Sequence, residues 1–188
     1  MSIRKHGASR GLTLIELIVT IAIIGTGVAG ILLVLNITVR ASADPLASKQ
    51  ALAIAESLLE EIQLMPFTYC DPDDANAETA TSTAGCATQV ENIGPEPGET
   101  RTSATTPFDN VNDYHGFSMS GITDITGTAI PGLSAYSASV TVAQQALNGP
   151  PNVIPNESLL IAVTVTGPFN TTVLVEGYRT RHAPNLLP

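Results

Sequence analysis

Glu16 is the residue whose position suggests the most distinctive chemistry, because it is a carboxylate at the start of a long apolar run. Between Glu16 and Arg40 the sequence contains no charged residue. Those 23 positions span about 34 Å as a helix, enough to cross a hydrocarbon core of ~30 Å. A carboxylate inside such a segment is costly and usually marks function. Glu16 therefore needs a cationic partner.

A short basic leader precedes the apolar run, and three interpretations of it compete. Its basic residues are Arg4, Lys5 and Arg10. They predict that the leader stays in the cytoplasm and that the rest is translocated. A secretory signal peptide fits the A-x-A sequence at 41–43, but its apolar region would be too long and would contain Glu16. A plain signal anchor on another periplasmic domain explains the length, but not Glu16 or the residues before it.

The third interpretation uses every feature of this segment. The string Gly11-Leu12-Thr13-Leu14-Ile15-Glu16 closely resembles the processing site of type IV prepilins. The resemblance implies cleavage after Gly11 by a membrane prepilin peptidase and N-methylation of Leu12, where Phe is commonest in the family. It also implies that Glu16 pairs with a terminal ammonium, its own or a neighbouring subunit's, and so recruits subunits into a filament. The alternative is a Glu16 that is solvated at the membrane interface.

Cys70 and Cys86 are the two cysteines of the chain, and they enclose 15 residues of polar, irregular sequence. In an oxidising compartment they are expected to form one disulfide, which would contribute ~3 kcal/mol. The alternative is two unpaired thiols in a cytosolic protein, a location that the N-terminus argues against. The spacing does not predict a metal site, because there is no CxxC pair and no nearby His.

The other polar residues give weaker patterns. Three acidic residues could suggest calcium: Asp71, Asp73 and Asp74. The EF-hand template fails, since Ala75 occupies a ligand position and no Gly or final Glu follows at the required offsets. We therefore expect a solvated acidic loop and no metal. Asp113 and His115 lack the nucleophile context of a triad, so the sequence predicts no enzyme and no cofactor.

The charge balance also limits the function. The 188-residue chain has a net charge of −9, and removal of the leader's three basic residues takes it to −12. Such a surface repels phosphate, which argues against nucleic-acid binding. Arg179, Arg181 and His182 form a small basic end, which is expected to be ordinary solvated charge; the alternative is an electrostatic contact to an acidic neighbouring subunit.

The periodicity predicts an α+β fold, a long N-terminal helix packed on a small antiparallel sheet, like a type IV pilin. The resemblance implies that the leader at 1–11 is cleaved, that the transmembrane helix at 12–40 serves in assembly, and that a long variable loop lies at 67–106. The other predicted parts are an amphipathic helix at 41–66 and a periplasmic β-rich domain at 67–188, which begins with that loop.

The amphipathic helix is expected to kink or restart at Asp44-Pro45 and to end before Pro66. Its apolar face comprises Ala51, Leu52, Ile54, Ala55, Leu58, Leu59, Ile62 and Met65, and its other side carries Lys49, Glu56, Glu60 and Glu61. Alternation predicts strands at 115–122, 133–143, 158–166 and 171–180, with a turn at 167–170 between the last two.

Short stretches elsewhere resemble the D-type minor pilins of the mannose-sensitive haemagglutinin (MSHA) pilus system. They are Asp44-Pro45, 50–61, 69–71, 112–116 and 178–181. This resemblance implies a minor subunit that primes or enters a pilus for adhesion. Its partners would be other pilins, the peptidase and methyltransferase, the inner membrane and the assembly platform. The alternatives are a type II secretion pseudopilin and a membrane-anchored periplasmic binding or enzyme domain.

Overall fold

The computed structural model describes residues 13–148 and 153–185, without the side chains of 37–44 and 155. One long helix, α1 (Leu14–Leu64), precedes four strands, β1 (Ser118–Ser120), β2 (Ser137–Gln144), β3 (Ser158–Gly167) and β4 (Thr171–Thr180). The chain divides into two compact units, Met1–Ala43 and Asp44–Pro188. The fold is α+β, which confirms the predicted class.

The helical backbone continues through Pro45, so the expected restart at this position is wrong. A proline removes one backbone donor, and this local loss does not end a helix when the residues on both sides favour helical structure. The helix ends at Leu64, two residues before Pro66, as the sequence predicts.

The sheet is an antiparallel meander in the order β1-β2-β3-β4. Val163 at its centre pairs with Val140 of β2 and Val175 of β4. The last two strands form the predicted hairpin. Its turn passes through Phe169 and Asn170, both in the left-handed region with φ of 59°.

Two strands are shorter than predicted. Strand β2 begins at Ser137 because the residues before it form turns, with Leu133 N donating to Ile130 O and Tyr136 N to Leu133 O. Strand β1 keeps only three residues of the predicted 115–122. Gly116 and Gly121, on either side of it, have φ of 80° and 76°, and positive φ ends an extended strand.

The core of the second unit lies between one face of α1 and the sheet. From the helix it contains Ala51, Ile54, Ala55, Leu58, Leu59 and Ile62, and from β3 it contains Leu159, Ile161, Val163 and Val165. Leu52 differs from the prediction, because it is 39% exposed. A Cβ at Gly177 would lie 2.5 Å from Gln63 Nε2 and 3.1 Å from Leu59 Cδ1, so a larger residue where β4 approaches the helix would displace Gln63 and crowd Leu59.

Candidate functional site

The first part of α1 has the length and composition of a membrane span. Among the described residues, one helix is long and apolar enough to cross a bilayer, and it covers the 23 residues Leu14–Asn36. All of its side chains are exposed, including Leu14 at 77% and Ile15 at 70%. Exposed apolar surface of this extent marks a membrane or protein contact. The segment therefore supports membrane anchoring.

Thr13 begins this helix as its N-terminal cap. Glu16 N donates to Thr13 Oγ1 at 3.3 Å, and Thr20 Oγ1 donates to Glu16 O at 2.7 Å. The pattern Thr-x-x-Glu is a capping-box sequence, and this signal could have identified the role of Thr13, which the sequence analysis missed. Glu16 lies exposed in the first turn, where the helix dipole favours a negative charge. Gly11 and Leu12 lie outside the described residues.

The comparison with known families concerns this same segment. The family model for the prokaryotic N-terminal methylation motif matches residues 7–32. The chain carries this methylation motif. The match includes Gly11, Leu12 and Glu16 and supports a prepilin of the type IV pilin kind, which is a structural subunit processed by prepilin peptidase and assembled with other pilins. No curated protein and no solved structure is significantly similar to the chain.

Beyond the methylation motif and its helix, the predicted disulfide between Cys70 and Cys86 is confirmed. Cys70 is fully buried and packs with Ala77 and Ala80 in a small second core. It also pairs with Val90 in an isolated antiparallel bridge. The disulfide therefore fixes the two ends of an ordered loop rather than a loose surface segment.

Asp74 organises that loop. Its carboxylate accepts hydrogen bonds from four backbone N–H groups, those of Asn76 (2.8 Å), Ala87 (2.9 Å), Thr88 (2.7 Å) and Gln89 (2.8 Å). These donors, first that of Ala87, hold the pKa of Asp74 well below its usual range. The expected solvated loop is therefore wrong for Asp74 and for Asp71, which are both buried, because each carboxylate accepts hydrogen bonds from the backbone of the loop.

Glu61 also differs from the prediction, which placed it on the solvent side of the helix. Arg101 Nε and Nη2 donate to its two oxygens at 2.7 Å each, and Tyr114 Oη donates to Oε1 at 2.8 Å. The bond to Glu61 raises the pKa of Arg101, and burial raises that of Tyr114. Glu61 lies at the edge of the buried face, where a loop arginine reaches it, and helical periodicity alone does not predict that partner.

The basic C-terminal end is not simply solvated either. The Arg181 guanidinium lies 3.9 Å from the ring centre of Phe67 and 4.5 Å from that of Tyr69, and it pairs with Glu157 at 3.5 Å. Arg179 donates to Met65 O at 3.0 Å. These contacts join the end of β4 to the start of the loop, while His182 is exposed as expected.

Asp113 and His115, which the sequence analysis considered as triad members, both bind backbone. Asp113 Oδ2 accepts from the N–H groups of Asp109 and Asn110 at 3.0 and 2.8 Å. His115 Nδ1 accepts from Val142 N at 3.2 Å. Both contacts hold the segment before β1 in place.

Proposed function

We propose that this chain is a minor pilin of a type IV pilus, held in the inner membrane before it primes the filament or enters it for adhesion. Prepilin peptidase cleaves after Gly11, and Leu12 becomes the methylated N-terminus. The observation that carries the proposal is the methylation motif on a fully exposed apolar helix. A filament subunit needs both, since the same helix serves as membrane anchor and later as filament core.

The charges and the disulfide support the proposed orientation. Three basic residues precede Gly11, and positive charge is retained on the cytoplasmic side. The Cys70–Cys86 disulfide is typical of an oxidising compartment. Both features support a periplasmic domain that later reaches the cell surface.

Glu16 has the assembly role in this proposal. Its carboxylate lies four residues after Leu12, about one helical turn from the mature N-terminus. In a bilayer an unpaired carboxylate is unfavourable, so an ammonium on this or a neighbouring subunit would stabilise it. That pairing would recruit the subunit and set its register.

The MSHA-like system is the favoured pilus, on the short stretches that resemble its D-type minor pilins. A type II secretion pseudopilin uses the same anchor and processing chemistry and is the close alternative. Co-purification of this chain with sheared surface pili is expected. Its recovery only with a secretion apparatus would favour the alternative.

Mass spectrometry of the chain purified from membranes tests the processing step. The expected mass is that of a chain beginning at methylated Leu12, and substitution of Gly11 should leave the full-length precursor. Retention of Met1 in the wild type, or cleavage after Ala43, would contradict the proposal and favour a signal anchor or a signal peptide.

Glu16→Ala tests the assembly step. The variant should be processed normally but disappear from sheared filaments, because its helix lacks the charge that pairs with an ammonium. Glu78→Ala, which removes an exposed loop carboxylate, should be incorporated at the wild-type level. Normal incorporation of Glu16→Ala would disprove the pairing role while leaving the processing result intact.

A further inference from the structure

Seven carboxylates converge in the second unit, two from the disulfide loop and five from the segment between that loop and β1. This acidic cluster consists of Asp71, Asp73, Glu91, Glu96, Glu99, Asp109 and Asp113. Its members form three overlapping groups, Asp71–Glu91–Glu96, Asp71–Asp73–Asp109 and Glu96–Glu99–Asp113, and within each group the carboxylate oxygens lie within 4.8 Å of one another. That is the largest separation of two oxygens that each lie about 2.4 Å from one ion.

Within this cluster, Glu91 differs from an ordinary surface carboxylate. Its side chain is only 6% exposed, and neither Oε1 nor Oε2 accepts a hydrogen bond from any residue in the described ranges. Buried carboxylates in native proteins are paired or coordinate metals. Both oxygens of Glu91 are thus unpartnered, and one of them lies in a group with Asp71 and Glu96.

Other buried oxygens nearby in the chain are also unpartnered. They are Glu96 Oε2, Asp109 Oδ1, Asp113 Oδ1 and the amide oxygens of Asn110 and Asn112. Three of these oxygens and both oxygens of Glu91 belong to carboxyl groups, and a proton or a bound cation is needed to offset the repulsion among so many carboxylates.

The described residues do not supply that positive charge. The basic residues after Pro66 are Arg101, Arg179 and Arg181. Arg101 pairs with Glu61 and Arg181 with Glu157, while Arg179 donates to a backbone carbonyl. Within residues 13–148 and 153–185, neither ion pair includes a member of the acidic cluster.

The fold holds the central group in place. Asp71 N donates to Gln89 O and Glu91 N to Tyr69 O, on either side of the Cys70–Val90 bridge. Two adjacent strand-like segments therefore present Asp71 and Glu91 together, and the disulfide at Cys70 fixes one of them. Glu91 and Asn112 also line a cavity with Tyr69 and Arg181, and the Arg181 guanidinium in it is already paired with Glu157.

We propose that the acidic cluster is a calcium site centred on Asp71, Glu91 and Glu96. All of these ligands are oxygens, and calcium takes six to eight oxygen ligands in flexible geometry, whereas magnesium requires a nearly regular octahedron. Zinc is disfavoured because the three groups contain neither Cys nor His. Asp71 already accepts bonds from Asp73 N and Gln89 Nε2, and these orient its carboxylate while further lone pairs remain for the ion.

This site is not the EF-hand that the sequence analysis tested at 71–74. Its proposed ligands come from separate parts of residues 71–113, so no short sequence motif predicts them. Asp74, the third member of the tested triplet, is fully engaged by backbone donors. The proposal stands on the geometry of the second unit and does not depend on the pilin function.

Calcium titration of the full chain in detergent, after treatment with a chelator, tests the site. Isothermal titration calorimetry should show at least one calcium per chain with a Kd of about 1 mM or tighter, as in extracellular calcium modules. Saturating calcium should raise Tm by about 5–10 °C, and magnesium at the same concentration should raise it much less. Absence of binding up to 10-fold above this Kd, or equal stabilisation by magnesium, would overturn the proposal.

Glu91→Gln locates the site, because it keeps the shape of the side chain and removes its charge. We expect calcium affinity to fall by at least about 10-fold. Glu78→Gln makes the same change at an exposed position of the same loop and should bind calcium like the wild type. An equal loss in both variants would show general attraction to an acidic surface and would overturn the proposal, as would unchanged binding by Glu91→Gln.

Discussion

Asp74 and Glu91 belong to the same loop region and are equally buried, at 6% exposure each, yet their chemistry is opposite. Asp74 accepts four backbone N–H bonds, and its pKa is lowered. Glu91 has no donor among the described residues, and burial followed by repulsion from Asp113 raises its pKa to about 10. Burial alone therefore does not set the state of a carboxylate, because the donors around it decide whether the charge is stabilised.

Glu61 shows a third arrangement, in which a side-chain cation replaces backbone donors. Arg101 binds it through two nitrogens and is itself 5% exposed. Glu16 is a fourth case, since its proposed cation would come from a processed N-terminus. These carboxylates therefore differ in the kind of group that stabilises their charge. For the acidic cluster, the proposed partner is an ion from outside the chain.

Removal of the cation-paired carboxylate should have the largest effect. Glu61→Ala leaves Arg101 buried without its counterion, and breaking such a pair costs about 3 kcal/mol. Urea unfolding of the full chain in detergent should show this loss, whereas Glu60→Ala, at the exposed neighbouring position, should change stability by less than about 0.5 kcal/mol. Equal small losses would mean that Glu61 and Arg101 act independently.

Loss of the charge of Asp74, the carboxylate bound by backbone N–H groups, should have the second largest effect on stability. In Asp74→Asn, the amide N–H₂ group would face backbone donors that the carboxylate now satisfies, so we expect Tm to fall by roughly 5 °C. Asp73→Asn, at the exposed adjacent residue, should not lower Tm in the presence of a chelator. A lower Tm for Asp73→Asn than for Asp74→Asn would contradict the importance of the four backbone bonds.

The same kind of substitution at the unpartnered carboxylate should act in the opposite direction. In a chelator at neutral pH, Glu91→Gln should increase stability by about 1–2 kcal/mol, because the wild-type carboxyl must take up a proton on folding, whereas the amide is neutral in both states and can donate to Asp71 or Glu96. In saturating calcium the order should reverse, with the wild type more stable. Thermal unfolding of the wild type and the variant under both conditions measures this reversal. A variant that is less stable than the wild type under both conditions would refute the prediction.

The N-terminal features and the hairpin were predictable because their signals are local. A basic leader, Gly11, Glu16 and the apolar run follow one another in the chain, and the alternation in β3 and β4 gives their register directly. Glu61 with Arg101, and Asp71 with Glu91, are separated by 40 and 20 positions, so their pairing depends on how the loop folds. No local pattern in the sequence therefore predicts these pairings, and the EF-hand template at 71–74 does not detect the proposed site, whose residues are distant in the sequence.

The smallest expected effect is on the pH dependence of stability. Carboxyl groups with a raised pKa and carboxyl groups with a lowered pKa change the stability in opposite directions as the pH rises. Burial raises the pKa of Asp113 to about 6, of Asp109 to about 7 and of Glu96 to about 8. Without calcium, the folded chain then binds more protons than the unfolded chain above about pH 4, so its stability falls as pH rises through these values.

Around pH 7 the loss should be about 1 kcal/mol per pH unit for each proton released. Asp74 has a lowered pKa, so its contribution is present at neutral pH and is lost only as the pH falls below the ordinary value of an aspartate. Urea unfolding at pH 6.5 and 7.5 in a chelator should therefore show lower stability at the higher pH. Calcium should flatten or reverse this slope, since an ion replaces the protons that the acidic cluster otherwise retains, and a slope that calcium leaves unchanged would place the titrating groups elsewhere.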